Sequence, residues 1–114
     1  MTGFRLLLAA IFIVVAVYTV PVVLEHGLLT LLPTFFSDMS ALGWPGQFNL
    51  DFMCMLLLSG FYVAWRHRYS PAGLALGVVA FFGGAPFLTA YLLYHSFQAD
   101  GDVAAMLLGR NITR

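Results

Sequence analysis

The chain has 114 residues, of which 61% are hydrophobic and only 9% are charged, and its formal net charge is zero. A typical soluble domain carries about 25% charged residues, so this composition indicates a membrane protein with an all-α fold. Lysine is absent and the five arginines are scattered, a pattern that lacks the basic stripe of a nucleic-acid-binding protein. The length allows one transmembrane helical domain over residues 1–114.

Three apolar stretches predict transmembrane helices at about residues 4–24, 48–65 and 72–97. Each approaches or exceeds the roughly 20 residues that cross a hydrocarbon core. Ser70 and Pro71 precede the third stretch as a helix cap followed by a first-turn proline. A cleaved signal peptide is the alternative for the first stretch, although that run is longer than the usual hydrophobic region of about 7–15 residues.

Arginine placement predicts the orientation of these spans. Arg5 precedes the first span, Arg66 and Arg68 lie between the second and third, and the loop at 25–47 has no lysine or arginine. The positive-inside rule then places the N-terminus in the cytoplasm and the C-terminus outside. Within the outer loop, residues 26–36 are too apolar for water and too short to cross, which predicts an interfacial or re-entrant helix.

Small residues recur along one face of the third span. At 100° per residue, four of them align and predict a helix-packing groove: Gly73, Gly77, Ala80 and Gly84. Tyr91 and His95 continue this face. The partner of the groove is either the second span or another chain. Pro86, after two glycines, allows a kink at mid-span.

Asp51 is the main functional candidate, because it is a carboxylate just inside the second apolar span. The three-span topology predicts that Tyr91 and His95 lie near it, as its hydrogen-bond partners. Four further polar residues are predicted at the same outer level of the membrane: Glu25, His26, Asn49 and Tyr94.

Three interpretations of these polar residues are open. Asp51, with Gln47 and Asn49, caps the start of a helix. Alternatively, Asp51 with Tyr91 or His95 forms an acid/base pair for a lipophilic substrate. A haem or metal site using His26 and His95 is the third interpretation, but the chain has no metal-ligand spacing motif and we expect no metal or other cofactor.

The sequences GWPGQFNLDF, FYVAWRHRYSPAGLALG, GGAPFLTAYLLY and GDVAAMLLGR resemble small bacterial multi-pass membrane proteins with domains of unknown function. This resemblance covers residues 27–110. It implies an inner-membrane location and no particular chemistry.

Two functional hypotheses follow. The first is a non-catalytic accessory or structural subunit that packs, with lipid around it, in a homo-oligomer or a larger membrane complex. The second is a membrane-embedded enzyme or carrier for a lipophilic molecule such as an isoprenoid, a quinone or a lipid, with Asp51 as its acid/base. Nucleic acid is not expected as a partner.

Overall fold

The computed structural model describes residues 1–112. It contains five α-helices in the described range: α1 (Thr2–His26), α2 (Leu31–Ser40), α3 (Trp44–Arg66), α4 (Pro71–Gln98) and α5 (Val103–Leu108). A short 3-10 helix at Leu28–Thr30 connects α1 to α2, and another at Gly109–Asn111 follows α5. The prediction of an all-α membrane protein is confirmed, since α1, α3 and α4 are long and apolar enough to cross a membrane.

The observed helices begin earlier or extend further than the predicted ones. The structure starts α3 at Trp44, with Pro45 in its first turn, rather than at residue 48. Proline fits there because the first amides of a helix have no intrahelical partner. The segment predicted at 26–36 overlaps α2, which begins at Leu31 and continues to Ser40. This helix packs on α3, where Asn49 Nδ2 donates to Phe35 O at 3.1 Å.

The chain reverses direction inside α4. A Cβ placed on Gly73 would lie 2.5 Å from the His67 Cβ, and the His67 ring centroid lies only 6.0 Å from that of His95. A straight helix would separate residues 73 and 95 by about 33 Å. The two halves of α4, residues 71–83 and 85–98, therefore form a hairpin whose tip is Gly84, so α4 is not one straight helix across the membrane although its total length and composition would allow that.

Gly84 is the residue that permits this reversal. Its φ of 61° and ψ of −147° lie in a backbone region that is essentially restricted to glycine. Pro86 then occupies the first turn of the second half, where its missing N–H costs nothing. Thr89 Oγ1 also donates to Ala85 O at 2.7 Å, which satisfies a carbonyl beside the tip.

The hairpin changes the position of the C-terminal region. Arg5 Nε donates to Ser96 Oγ at 3.0 Å, and a Cβ on Gly101 would lie 3.9 Å from the Met1 Cβ. The start of α1 and the end of α4 are therefore at the same end of the molecule, which we call the arginine end. Residues 101–111 also lie at this end, contrary to the prediction that the chain after the third span lies on the opposite side from the N-terminus.

Backbone contact joins α3 to the first half of α4. A Cβ on Gly60 would lie 2.9 Å from Gly77 O, and a Cβ on Gly77 would lie 2.8 Å from Gly60 O. Only glycine allows this approach, because any larger residue would overlap a carbonyl. Gly73, Gly77, Ala80 and Gly84 are all buried, so within the described chain α3 covers the groove expected on α4.

Candidate functional site

Arg66 is the centre of the most densely bonded part of the molecule. It is the last residue of α3 and is only 5% exposed. Its Nε donates to Met106 O at 2.7 Å, and its NH1 group donates to the Tyr91 hydroxyl at 3.1 Å. The guanidinium thereby joins α3, the second half of α4, and α5. A carbonyl from the last turn of α5 is a favourable acceptor, since the C-terminal end of a helix carries partial negative charge.

A network of rings surrounds the Tyr91 hydroxyl. His67 Nε2 lies 2.6 Å from this oxygen, and the His95 ring centroid is 4.4 Å from that of Tyr91. Burial, followed by the charges of Arg66 and Arg110, lowers the pKa of His67 below its usual value. His67 is therefore neutral near pH 7, and because the tyrosine oxygen accepts from Arg66, the tyrosine hydroxyl can donate its own proton to His67 Nε2.

Two further side chains hold the C-terminal segment against α3. The Tyr62 hydroxyl donates to Leu107 O at 2.7 Å, and Asn111 Nδ2 donates to Trp65 O at 2.7 Å. Gly109 fits closely beneath them, since a Cβ there would lie 2.5 Å from Arg66 Cγ. Its φ of +56° also favours glycine. We call this contact, formed by Tyr62, Arg66, Gly109 and Asn111, the α5 clasp.

The opposite end of the molecule contains a cavity of about 540 Å³ between α1, α2 and the start of α3. Val22 and Phe35 contribute apolar walls, while His26, Asp38 and Asn49 contribute polar groups. This volume is within the range of roughly 300–1,000 Å³ typical of small-molecule sites. The cavity can accommodate an apolar molecule with one polar end.

Asp51 lies far from its expected partners. Tyr91 and His95 pack beside Arg66 and His67 at the arginine end, whereas Asp51 is near the start of α3 and its residue is exposed. The expected hydrogen bond is therefore not formed, because the hairpin takes Tyr91 and His95 back to the other end. The capping interpretation is also wrong: α3 begins at Trp44 with Gly43 as its cap, and Asp51 lies beyond the first turn.

The predicted outer cluster divides between the two ends. His26 and Asn49 line the cavity, and Glu25 is exposed beside it. Tyr94, by contrast, stacks edge-on against His95, with ring centroids 5.1 Å apart, at the arginine end. The same division separates His26 from His95, so these two histidines cannot share a haem or a metal.

Sequence reasoning missed Arg66 as a site residue, because a cation after an apolar span is typical of an ordinary basic flank. It also underestimated the GDVAAMLLGR segment, which supplies the carbonyls of the α5 clasp. The available signal was GGAP at mid-span, since two glycines and a proline together permit a reversal. No protein-family model, curated protein or solved structure matches the chain.

Proposed function

We propose that the protein is a non-catalytic membrane subunit that packs through α3 against a second copy or a larger membrane complex. The observation that supports this proposal is the position of Asp51 on an outward apolar stripe. Phe48, Met55 and Leu58 share its helical face and are 62%, 58% and 64% exposed. The stripe is therefore open over more than two helical turns.

The energetic argument concerns the carboxylate. If Trp44 lies at headgroup level, Asp51 is about 10 Å deeper in the membrane. A carboxylate facing acyl chains near the bilayer centre costs about 2.5–3.5 kcal/mol on insertion scales. A polar group from a partner helix would offset much of that cost. The α3 stripe is accordingly the interface that this proposal assigns to the partner.

The single cysteine provides a direct test. Cys54 is exposed and lies one helical turn from Asp51. If the partner is a second copy, mild oxidation of membranes should yield a disulfide-linked dimer that Cys54→Ser abolishes. Asp51→Leu should reduce the dimer, whereas Glu25→Gln, which removes an exposed carboxylate outside the stripe, should leave it unchanged.

A heteromeric complex would give a different result. The solubilised wild-type protein would then migrate well above its 12.5 kDa chain mass without a Cys54 disulfide, and Asp51→Leu would release the co-purifying subunit. A monomeric wild-type protein in mild detergent and in cross-linked membranes would contradict the proposal.

We propose a second candidate function, the binding of a lipid-soluble molecule in the cavity between α1, α2 and the start of α3, which we call the outer cavity. The combination of apolar walls with His26, Asp38 and Asn49 favours it. Mass spectrometry of solvent extracts from purified protein should reveal a bound isoprenoid, quinone or lipid. Val22→Trp should fill the cavity and reduce that signal, whereas Val20→Trp, on an exposed position outside the lining, should not. Equal signals in both variants would reject the cavity as the site.

A further inference from the structure

A second concave surface lies between α3 and the first half of α4, and the second half of α4 does not contribute to its lining. It has a volume of about 350 Å³. Gly60, Ala64 and Gly77 form its floor, because the two backbones touch there, and Phe61 and Phe81 are among its walls. Nearly all of its lining is apolar, so a hydrocarbon chain is the chemistry that fits it.

Tyr69 closes one end of this groove, at the turn that joins α3 to α4. Arg68 and Tyr69 have φ values of 54° and 56°, which two consecutive bulky residues rarely adopt. Hydrogen bonds hold the turn, since the Tyr69 amide donates to Ala64 O at 2.9 Å and the Arg68 amide to Trp65 O at 2.8 Å. The turn thus places an amphipathic ring at the groove and an exposed arginine next to it in the chain.

The turn at this end of the groove carries two arginines, Arg66 and Arg68, and no acidic residue. Asp100 and Asp102 follow α4 at the arginine end of the molecule, but neither of them lines the groove. An exposed arginine beside a tyrosine, at the end of an apolar groove, complements a phosphate attached to an acyl chain. A zwitterionic lipid complements the arginine less well, because the positive group of its headgroup repels the guanidinium.

We propose that this groove binds an anionic phospholipid, with one acyl chain between α3 and α4 and the headgroup phosphate at Arg68. The site is separate from the α3 stripe and from the outer cavity, so it does not depend on either proposed function. It assigns a role to the exposed Arg68, which the α5 clasp does not use.

Native mass spectrometry of the full chain in detergent, titrated with phosphatidylglycerol or phosphatidylcholine of identical acyl chains, tests the charge requirement. The wild type should retain phosphatidylglycerol about fivefold more strongly, the effect expected of one arginine near an anionic headgroup. Arg68→Asn should abolish this preference, and asparagine tolerates the left-handed conformation of the turn. Arg110→Asn, which removes an exposed arginine outside the groove, should preserve it.

Filling the groove tests the acyl-chain site. Val78→Trp places a large ring on the groove wall, whereas Val79→Trp changes a neighbouring exposed position outside the lining. Val78→Trp should reduce retention of both lipids, and Val79→Trp should not. Equal retention of the two lipids by the wild type, or equal losses in Arg68→Asn and Arg110→Asn, would overturn the proposal, because either result indicates general surface electrostatics. If Val78→Trp does not fold, the comparison of Arg68→Asn with Arg110→Asn tests the proposal on its own.

Discussion

At the arginine end, side chains from α1, α3 and α4 bond to one another and to the backbone of α5. At the opposite end, α1, α2 and α3 surround an open cavity, and Glu25 and Asp51 are exposed. The difference follows from the hairpin in α4, which adds a second helical layer to one end only. Stability is therefore expected to concentrate at the arginine end, and ligand exchange or partner binding at the other.

Replacing Arg66 should produce the largest loss of stability at the arginine end. Arg66→Leu leaves Met106 O and the Tyr91 hydroxyl without the donor that Arg66 provides, and each buried acceptor that loses its donor costs about 1–3 kcal/mol. The free energy of unfolding in detergent should fall by this order, with early proteolysis after residue 98. Arg68→Leu is the matched control, since Arg68 is exposed. Equal stability of the two variants would show that the α5 clasp does not stabilise the fold.

Gly77→Leu should have the next largest effect. The added side chain would meet Gly60 O and push α3 from α4, and such overpacking typically costs about 1–3 kcal/mol. Thermal unfolding in detergent should show a lower midpoint. Gly3→Leu is the control, because a Cβ at Gly3 has nothing within 4 Å. An unchanged midpoint for Gly77→Leu would mean that the two backbones are not in contact.

Alanine substitutions at Gly109 and Gly101 together distinguish the loss of the α5 clasp from the effect of backbone strain alone. Both have positive φ, but a Cβ at Gly109 would overlap Arg66, whereas one at Gly101 has only an ordinary 3.9 Å contact. Each alanine variant should lose about 1 kcal/mol from strain, and Gly109→Ala should lose about 1–3 kcal/mol more from the overlap. Hydrogen exchange of the α5 amides measures the difference. Similar exchange in both variants would contradict the close fit of Gly109.

Acid should loosen the arginine end slightly, through His67. Its pKa is lowered in the folded protein, so the folded state binds fewer protons there than the unfolded state. The linked stability is fully present above the usual pKa of about 6.5 and declines as the pH falls from that value towards the lowered one. The unfolding midpoint should therefore drop between pH 7.5 and 5.5. His67→Gln should reduce this dependence without removing it, because the His95 ring beside it is a second titratable group. His26→Gln should retain the dependence, and the reverse pattern would assign the effect to the other end.

The sequence predicted the helices well, because apolar runs of about 20 residues and an N-cap followed by proline are local signals. The small-residue face of α4 was also visible from spacing alone. The hairpin was not, since a glycine at mid-span is compatible with a straight helix and only the backbone angles of Gly84 distinguish the two. The misplacement of Tyr91 and His95 follows from that single residue. A straight α4 would bring Tyr91 and His95 to Asp51, whereas the folded α4 brings them to Arg66.

The distance between residues 68 and 98 tests the hairpin most directly. Spin labels on Arg68→Cys and Gln98→Cys, in a Cys54→Ser background, can be measured by pulsed electron paramagnetic resonance in lipid nanodiscs. A folded α4 predicts a separation comparable with the molecule's 27 × 22 Å cross-section. A separation of about 40 Å or more, the length of a straight helix over residues 71–98, would contradict it.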